Sequence, residues 1–131
     1  MAPLLDAQAL IAFVQDEGPA ARIEAILREG ESATTAVNLA EVVQKLLRDG
    51  APEEDVRDVL EPLGVKIIAV DAALAWRAGV LRAQHFDRRR NRVSLADCCL
   101  VAAAASGDTL VSRDRGLAEM ARAEGVEALA L

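Results

Sequence analysis

The sequence has no tyrosine, one tryptophan and two phenylalanines, so 2% of it is aromatic although 53% is hydrophobic. Its apolar mass is mostly Ala, Leu and Val, which suits helices packed on a sheet better than a sandwich of aromatic strands. The only cysteines, Cys98 and Cys99, are neighbours. Adjacent residues of one helix point apart and cannot form an ordinary disulfide. With a single histidine they also fall short of a zinc site, so they read as small buried hydrophobes. Ser94 and Ser112 have no histidine partner, which argues against covalent serine catalysis. That one histidine, His85, reads as a surface residue of a polar loop. No apolar run approaches the roughly 20 residues of a membrane span, and "MAPLLDAQ" lacks the basic start of a signal peptide. A cytoplasmic protein without a membrane segment is expected.

The chain has 131 residues, about one domain with one proper core. Residues 1–131 are therefore expected to form a single domain. Its net charge of −6 argues against holding nucleic acid by bulk electrostatics. The charge is uneven, however. Residues 1–71 carry 14 acids and 6 bases, and residues 72–131 carry 7 acids and 9 bases. The bases concentrate in "RAQHFDRRRNR", where Arg82, Arg88, Arg89, Arg90 and Arg92 form a strip that could meet a phosphate backbone or an acidic partner, or simply lie in solvent.

Short apolar segments alternate with helical ones. Pro3 to Leu5 reads as a strand running into Asp6 and the helix "AQALIAFVQDE". "GPAARIEAILREG" reads as a helix with Pro19 near its start and Gly30 after its end. "SATT" is weakly β. In "AVNLAEVVQKLLRDG", Leu39, Val42, Val43, Leu46 and Leu47 make an amphipathic stripe. "APEEDVRDVLEPLG" opens like a helix, and the β-branched "VKIIAV" is the clearest strand. Asp71 caps "AALAWRAGVLRAQ", a basic loop leads to a helix over 95–106, "GDTLVS" is turn then strand, "RGLAEMARAEG" is helix and "VEALAL" a last strand. Such alternation implies an α/β fold of three layers, α/β/α, around a mostly parallel sheet.

In these sheets ligands gather at the carboxyl ends of the strands. Asp6 ends the first strand, Asp114 follows "TLVS", and Asp97 lies in the first turn of the apolar helix "SLADCCLVAAA". Each has a reading as a cap; for Asp97 it is the capping box with Ser94. Yet the architecture would bring them to one edge, where clustered carboxylates need a positive counter-charge. Mg²⁺ or Mn²⁺ suits oxygen ligands, and such an ion can activate water and neutralise a phosphodiester. Glu41 is the hardest of the acids to include. It lies opposite the apolar stripe, and Lys45, four residues on, suggests a solvated ion pair.

"LLDAQALIAF", "TTAVNLAEVVQKL", "VSLADCCLVAAA" and "TLVSRD" resemble, in order and spacing, the four acidic motifs of PIN-domain ribonucleases, in particular VapC-type toxins of bacterial toxin–antitoxin pairs. The resemblance runs nearly end to end. It implies a PIN-like fold and a Mg²⁺-dependent endoribonuclease, with Mn²⁺ as substitute, that hydrolyses RNA by water activated on the metal and leaves 5′-phosphate and 3′-hydroxyl ends. By the resemblance Asp6, Glu41, Asp97 and Asp114 are the catalytic, metal-holding tetrad. Ser112 supports it as the small hydroxyl before the last acid, and Ser94 supports it as the cap of Asp97. Gln8 stands where the family usually has Ser, Asn or Thr, so metal support there departs from the pattern. A VapB-type antitoxin and a homodimer are the implied partners.

Three other readings remain. An inactive PIN-like module binding RNA or protein would have lost part of the tetrad. A signalling receiver would show paired acids at the end of its first strand and a late lysine, whereas Leu4 and Leu5 precede Asp6 and the last lysine is Lys66. An aspartyl-nucleophile phosphatase would want an acid where Gln8 stands.

Overall fold

A computed structural model describes residues 2–131. Five strands, β1 (Pro3–Leu5), β2 (Ala33–Thr35), β3 (Lys66–Ile68), β4 (Thr109–Ser112) and β5 (Glu127–Ala130), form one sheet in the order β3-β2-β1-β4-β5. Every pairing is parallel, so each return to the sheet needs a crossover, and helices supply them. The helices are α1 (Ala7–Val14), α2 (Ala20–Arg28), α3 (Ala36–Arg48), α4 (Glu53–Leu60), α5 (Ala72–His85), α6 (Leu95–Ala103) and α7 (Arg115–Ala123). A 3₁₀ turn, Glu61–Leu63, follows α4 and closes on Gly64 in the left-handed region at φ 68°, where a side chain would be strained.

The sheet is covered on both faces because successive strand residues point opposite ways. Leu4 and Leu110 face α5, α6 and α7, packing with Leu81, Leu100, Leu117 and Met120. Leu5 and Val111 face α1 to α4 and meet Leu10, Ile23, Val42, Leu46 and Val56. These side chains are nearly all fully buried, and truncating one such as Leu5 to alanine should cost about 2–5 kcal/mol. Cys98 and Cys99 are buried, as the composition implied, and Cys98 Sγ lies 3.8 Å from Met120 Sδ. Burial pushes the Cys98 thiol up to about 11. This is the expected three-layer α/β/α architecture, with a sheet that is wholly rather than mostly parallel.

Four local expectations need correction. "VKIIAV" yields only the three-residue edge strand β3, whose Lys66 and Ile67 are exposed. The first helix stops at Val14 instead of reaching Glu17. The helix at 95–106 ends at Ala103, because Asp108 Oδ2 accepts the N–H of Ala105 at 2.8 Å and pulls the chain into a turn. His85 is the last residue of α5, not a loop residue, and its Nε2 lies 2.8 Å from Glu124 Oε2.

Strand order places the carboxyl end of β1 at a reversal. The chain leaves β1 for β2 and β3 on one side, then returns to the other side at β4. The first helix after β1 packs on one face and the helix after β4 on the other, so the ends of β1 and β4 stand at the switch point where such folds gather their ligands.

Candidate metal centre at the strand ends

Asp6 is the first residue past β1 and lies at that switch point. Extending the strand registers by one residue puts it between Thr35 of β2 and Ser112 of β4, on the α5–α7 face of the sheet. Its backbone is extended and its Oδ1 accepts the N–H of Ala9 at 2.8 Å, so it caps α1. Its Oδ2 accepts the Ser112 hydroxyl at 2.5 Å, and that hydroxyl in turn accepts the N–H of Asp114 at 2.9 Å. The two central strand ends are thus tied together through one carboxylate. Asp6 is only 2% exposed. Burial pushes its carboxyl up from 3.8 to about 6, against the two hydrogen bonds that favour its ionised form, and the charges of Asp97 and Asp114 add to the rise.

Asp97 sits at the start of α6 in a complete capping box: the Ser94 hydroxyl accepts the Asp97 N–H at 3.0 Å, and Asp97 Oδ2 accepts the Ser94 N–H at 3.1 Å. Cap and cluster member are therefore compatible roles. Burial raises its carboxyl despite the Ser94 bonds, with a further contribution from Asp114. Asp114 caps α7 through the Leu117 N–H at 3.1 Å. Glu41, in the middle of α3, is half-buried. Its carboxyl is raised by burial and then by Asp97. The ion pair suggested by spacing does not form: Lys45 reaches forward to Asp49 at 2.8 Å, and Glu41 has no hydrogen-bond or ionic partner among the described residues. Helical spacing offered Lys45 two acids, and it takes the one that is also in solvent.

All four acids therefore stand in one electrostatic neighbourhood, linked as a chain from Glu41 through Asp97 to Asp114 and Asp6. Their side chains do not yet close on one ion. Among the described residues no three His, Cys, Asp or Glu side chains are gathered tightly enough for that. The donor set still fits a hard cation, being all oxygen, partly buried and short of positive charge. Capping bonds occupy one oxygen of Asp97 and one of Asp114 and leave the other free. A few direct ligands and several retained waters is the way Mg²⁺ is commonly held.

Of the supporting residues, Ser94 and Ser112 touch the acids as described. Gln8 is exposed in the first turn of α1 and makes no side-chain hydrogen bond among the described residues. Two further polar residues, Thr35 beside Asp6 in the strand register and Asn38 bonded to Thr35, escape a reading of the sequence alone. Thr35 and Asn38 are fully buried; Thr35 caps α3 and donates to Asn38 Oδ1 at 2.5 Å, while Asn38 Nδ2 has no partner. Such a buried orphan is uncommon. The signal is nonetheless present: Asn38 falls on the buried phase of Val42 and Leu46, where an apolar residue would be expected.

Of the basic strip, Arg88, Arg89, Arg90 and Arg92 are exposed. Arg82 is different. It is half-buried on α5, its Nε donates to the Val93 carbonyl at 3.1 Å, and its guanidinium lies 4.3 Å from the centre of the Phe86 ring. Asp87 and Asn91 exchange two backbone hydrogen bonds at 2.7 and 2.9 Å, so the loop is a small hairpin carrying Arg88, Arg89 and Arg90 at its tip.

A parallel five-stranded sheet with Asp6 just past β1 and Asp114 two residues past β4 defines an α/β protein with acids at its switch point, and the family model of the PIN domain matches residues 4–123. The chain belongs to the PIN-domain family, whose members are in general nucleases that use divalent metal ions. Its fold is similar to that of FitAcB from Neisseria gonorrhoeae, with a TM-score of 0.69, 22% identity and 97% of this chain and 96% of that one covered. FitAB bound to an IR36 DNA fragment gives 0.68 and 21%, with 98% and 94% covered. VapBC2 from Rickettsia felis, bound to a DNA fragment from its promoter, gives 0.68 and 18%, with 99% and 98% covered. No curated protein matches the sequence.

Proposed function

We propose that the protein is a Mg²⁺-dependent endoribonuclease, the VapC-type toxin of a toxin–antitoxin pair. The observation that carries this reading is Asp6, a buried carboxylate at the reversal point of the sheet whose proton affinity is raised by burial and by two neighbouring acids. Asp6, Glu41, Asp97 and Asp114 would hold the ion; Mn²⁺ would substitute. Bound there, it supplies activation of water and neutralisation of phosphate charge. The chain's own residues do the rest. The Ser112 hydroxyl fixes the rotamer of Asp6 by donating to it, and the Ser94 backbone N–H fixes the Asp97 carboxylate in the same way, so neither acid has to be ordered when substrate arrives. Exposed Arg88, Arg89, Arg90 and Arg92 hold the RNA backbone or an acidic tail of the partner.

The similar structures FitAB and VapBC2 are two-component assemblies on DNA, which supports a VapB-type antitoxin as partner. A homodimer is part of the same reading. Trp76, 79% exposed, and Val80 lie one turn apart on α5 and supply apolar surface for such contacts. RNA and antitoxin would be met in the cytoplasm. No helix among the described residues is long and apolar enough to cross a membrane. The test is incubation of the purified chain with total RNA in Mg²⁺ and in EDTA, followed by mapping of fragment ends. Cleavage in Mg²⁺ alone, with 5′-phosphate and 3′-hydroxyl ends, is expected. Cleavage that persists in EDTA, or none in Mg²⁺, overturns the reading.

A further inference from the structure

Gly116 is the second residue of α7 and has an ordinary right-handed helical backbone. Nothing in its conformation asks for glycine, and alanine there would normally favour the helix. What glycine provides is room. A Cβ on Gly116 would lie 2.2 Å from Asn91 Oδ1 and 2.9 Å from Asn91 Cγ, closer than real carbons approach. The same point is 3.3 Å from Asp114 Oδ1. Asn91 is seated in this notch and its Nδ2 donates to the Gly116 carbonyl at 2.9 Å. The turn that presents Asp114 to the acid cluster is thus also the turn on which the arginine hairpin rests.

The hairpin transmits that anchor to its arginines. Asn91 is the residue that closes it, through both backbone bonds to Asp87. Asp87 Oδ1 accepts the N–H groups of Arg89 and Arg90 at 2.8 and 3.0 Å, and Arg92 Nε donates to the Arg88 carbonyl at 2.8 Å. Its legs are held by the Arg82 contact with Val93. A unit braced in this way moves as a piece, and Asn91 is its link to α7.

We propose that Asn91, seated against Gly116, is the positioning contact that fixes the arginine hairpin beside the acid cluster, so that a single-stranded RNA backbone held by the arginines reaches the acids in one register. This rests on the ribonuclease reading and adds to it two residues that act through others. Neither need touch substrate.

The test compares Gly116→Ala, Asn91→Ala and the double variant. Affinity is read with a hydrolysis-resistant phosphorothioate single-stranded RNA of mixed sequence. Cut positions are read on an ordinary RNA, and the acid cluster is followed separately by the rise in melting temperature with Mg²⁺ alone. Each single variant should bind the RNA about two- to tenfold more weakly, the range set by removal of one hydrogen bond, and should spread its cuts to neighbouring phosphates. The Mg²⁺ response should stay. Stability should be non-additive, with Gly116→Ala destabilising the parent chain but neutral or stabilising once Asn91 is alanine, because the clash is then gone. Unchanged affinity and cut positions overturn the proposal. So does loss of the Mg²⁺ response, which would mean damage to the cluster itself. A parent chain that never cuts RNA defeats the ribonuclease reading instead, and the stability cycle still reports whether the contact exists.

Discussion

Asp71 and Asp6 cap helices in the same way. Both have extended backbones, and each side chain accepts the N–H three residues on, at 2.9 Å and 2.8 Å. Asp71 does so exposed at the start of α5, where a cap costs nothing in desolvation. Asp6 does so buried, with its proton affinity raised and with Asp97 and Asp114 near. A cap alone has no use for those surroundings. Ionised Asp6 destabilises the fold, and a folded value of about 6 against 3.8 amounts to about 3 kcal/mol at neutral pH. The contrast separates a carboxylate kept for a helix from one kept for something the helix does not need.

The largest effect that could break this contrast is on activity. Asp6→Asn and Asp97→Asn should each lower Mg²⁺-dependent RNA cleavage by about 10²-fold or more, whereas Asp71→Asn should leave it within about twofold, since asparagine caps as well as aspartate. Equal, small effects at all three positions would reduce the cluster to scattered caps. Stability gives the next largest separation. The Asp6 carboxyl holds its proton more tightly folded than unfolded. Its contribution is therefore fully present below pH 3.8 and is lost as pH rises through about 6. Asp6→Asn should thus be more stable than the parent by about 1–3 kcal/mol in urea unfolding at pH 7.5 without metal, with the gain shrinking below pH 5.

A smaller effect is expected where the acids are left alone. Neutralising Arg88, Arg89 and Arg90 together should weaken RNA binding and flatten its dependence on salt, by up to about 0.7 in slope for each phosphate that the arginines no longer neutralise. The Mg²⁺ response should stay. An unchanged salt slope would return the hairpin tip to solvent.

What can be read from residues alone follows how local the cause is. Caps are local, so Asp6, Ser94 with Asp97, and Asp114 fall at helix starts without knowledge of the fold, and alternation of apolar segments is enough for the layered sheet. Glu41 is not legible from spacing. Two acids flank Lys45 at helical distance, and only the fold shows that Lys45 takes Asp49. β3 misleads in the other direction, because "VKIIAV" has strong β character yet lies at the sheet edge with its first two residues exposed. The Asn91–Gly116 contact joins residues 25 apart through space and leaves no periodic trace. The charges of Asp97 and Asp114 on Asp6 are likewise a product of topology, visible only once the strand order is known.

The central claim is that these acids share a use for a divalent ion, and thermal melting measures it most directly. In Mg²⁺ the parent chain at pH 7.5 should melt roughly 3–8 °C higher than in NaCl of equal ionic strength, because the ion binds the folded state and relieves the repulsion around Asp6. Mn²⁺ should do the same, Asp71→Asn should keep the whole gain, and Asp97→Asn should lose most of it. Coincident melting curves in Mg²⁺ and matched NaCl, or a gain that survives intact in Asp97→Asn, would contradict the account.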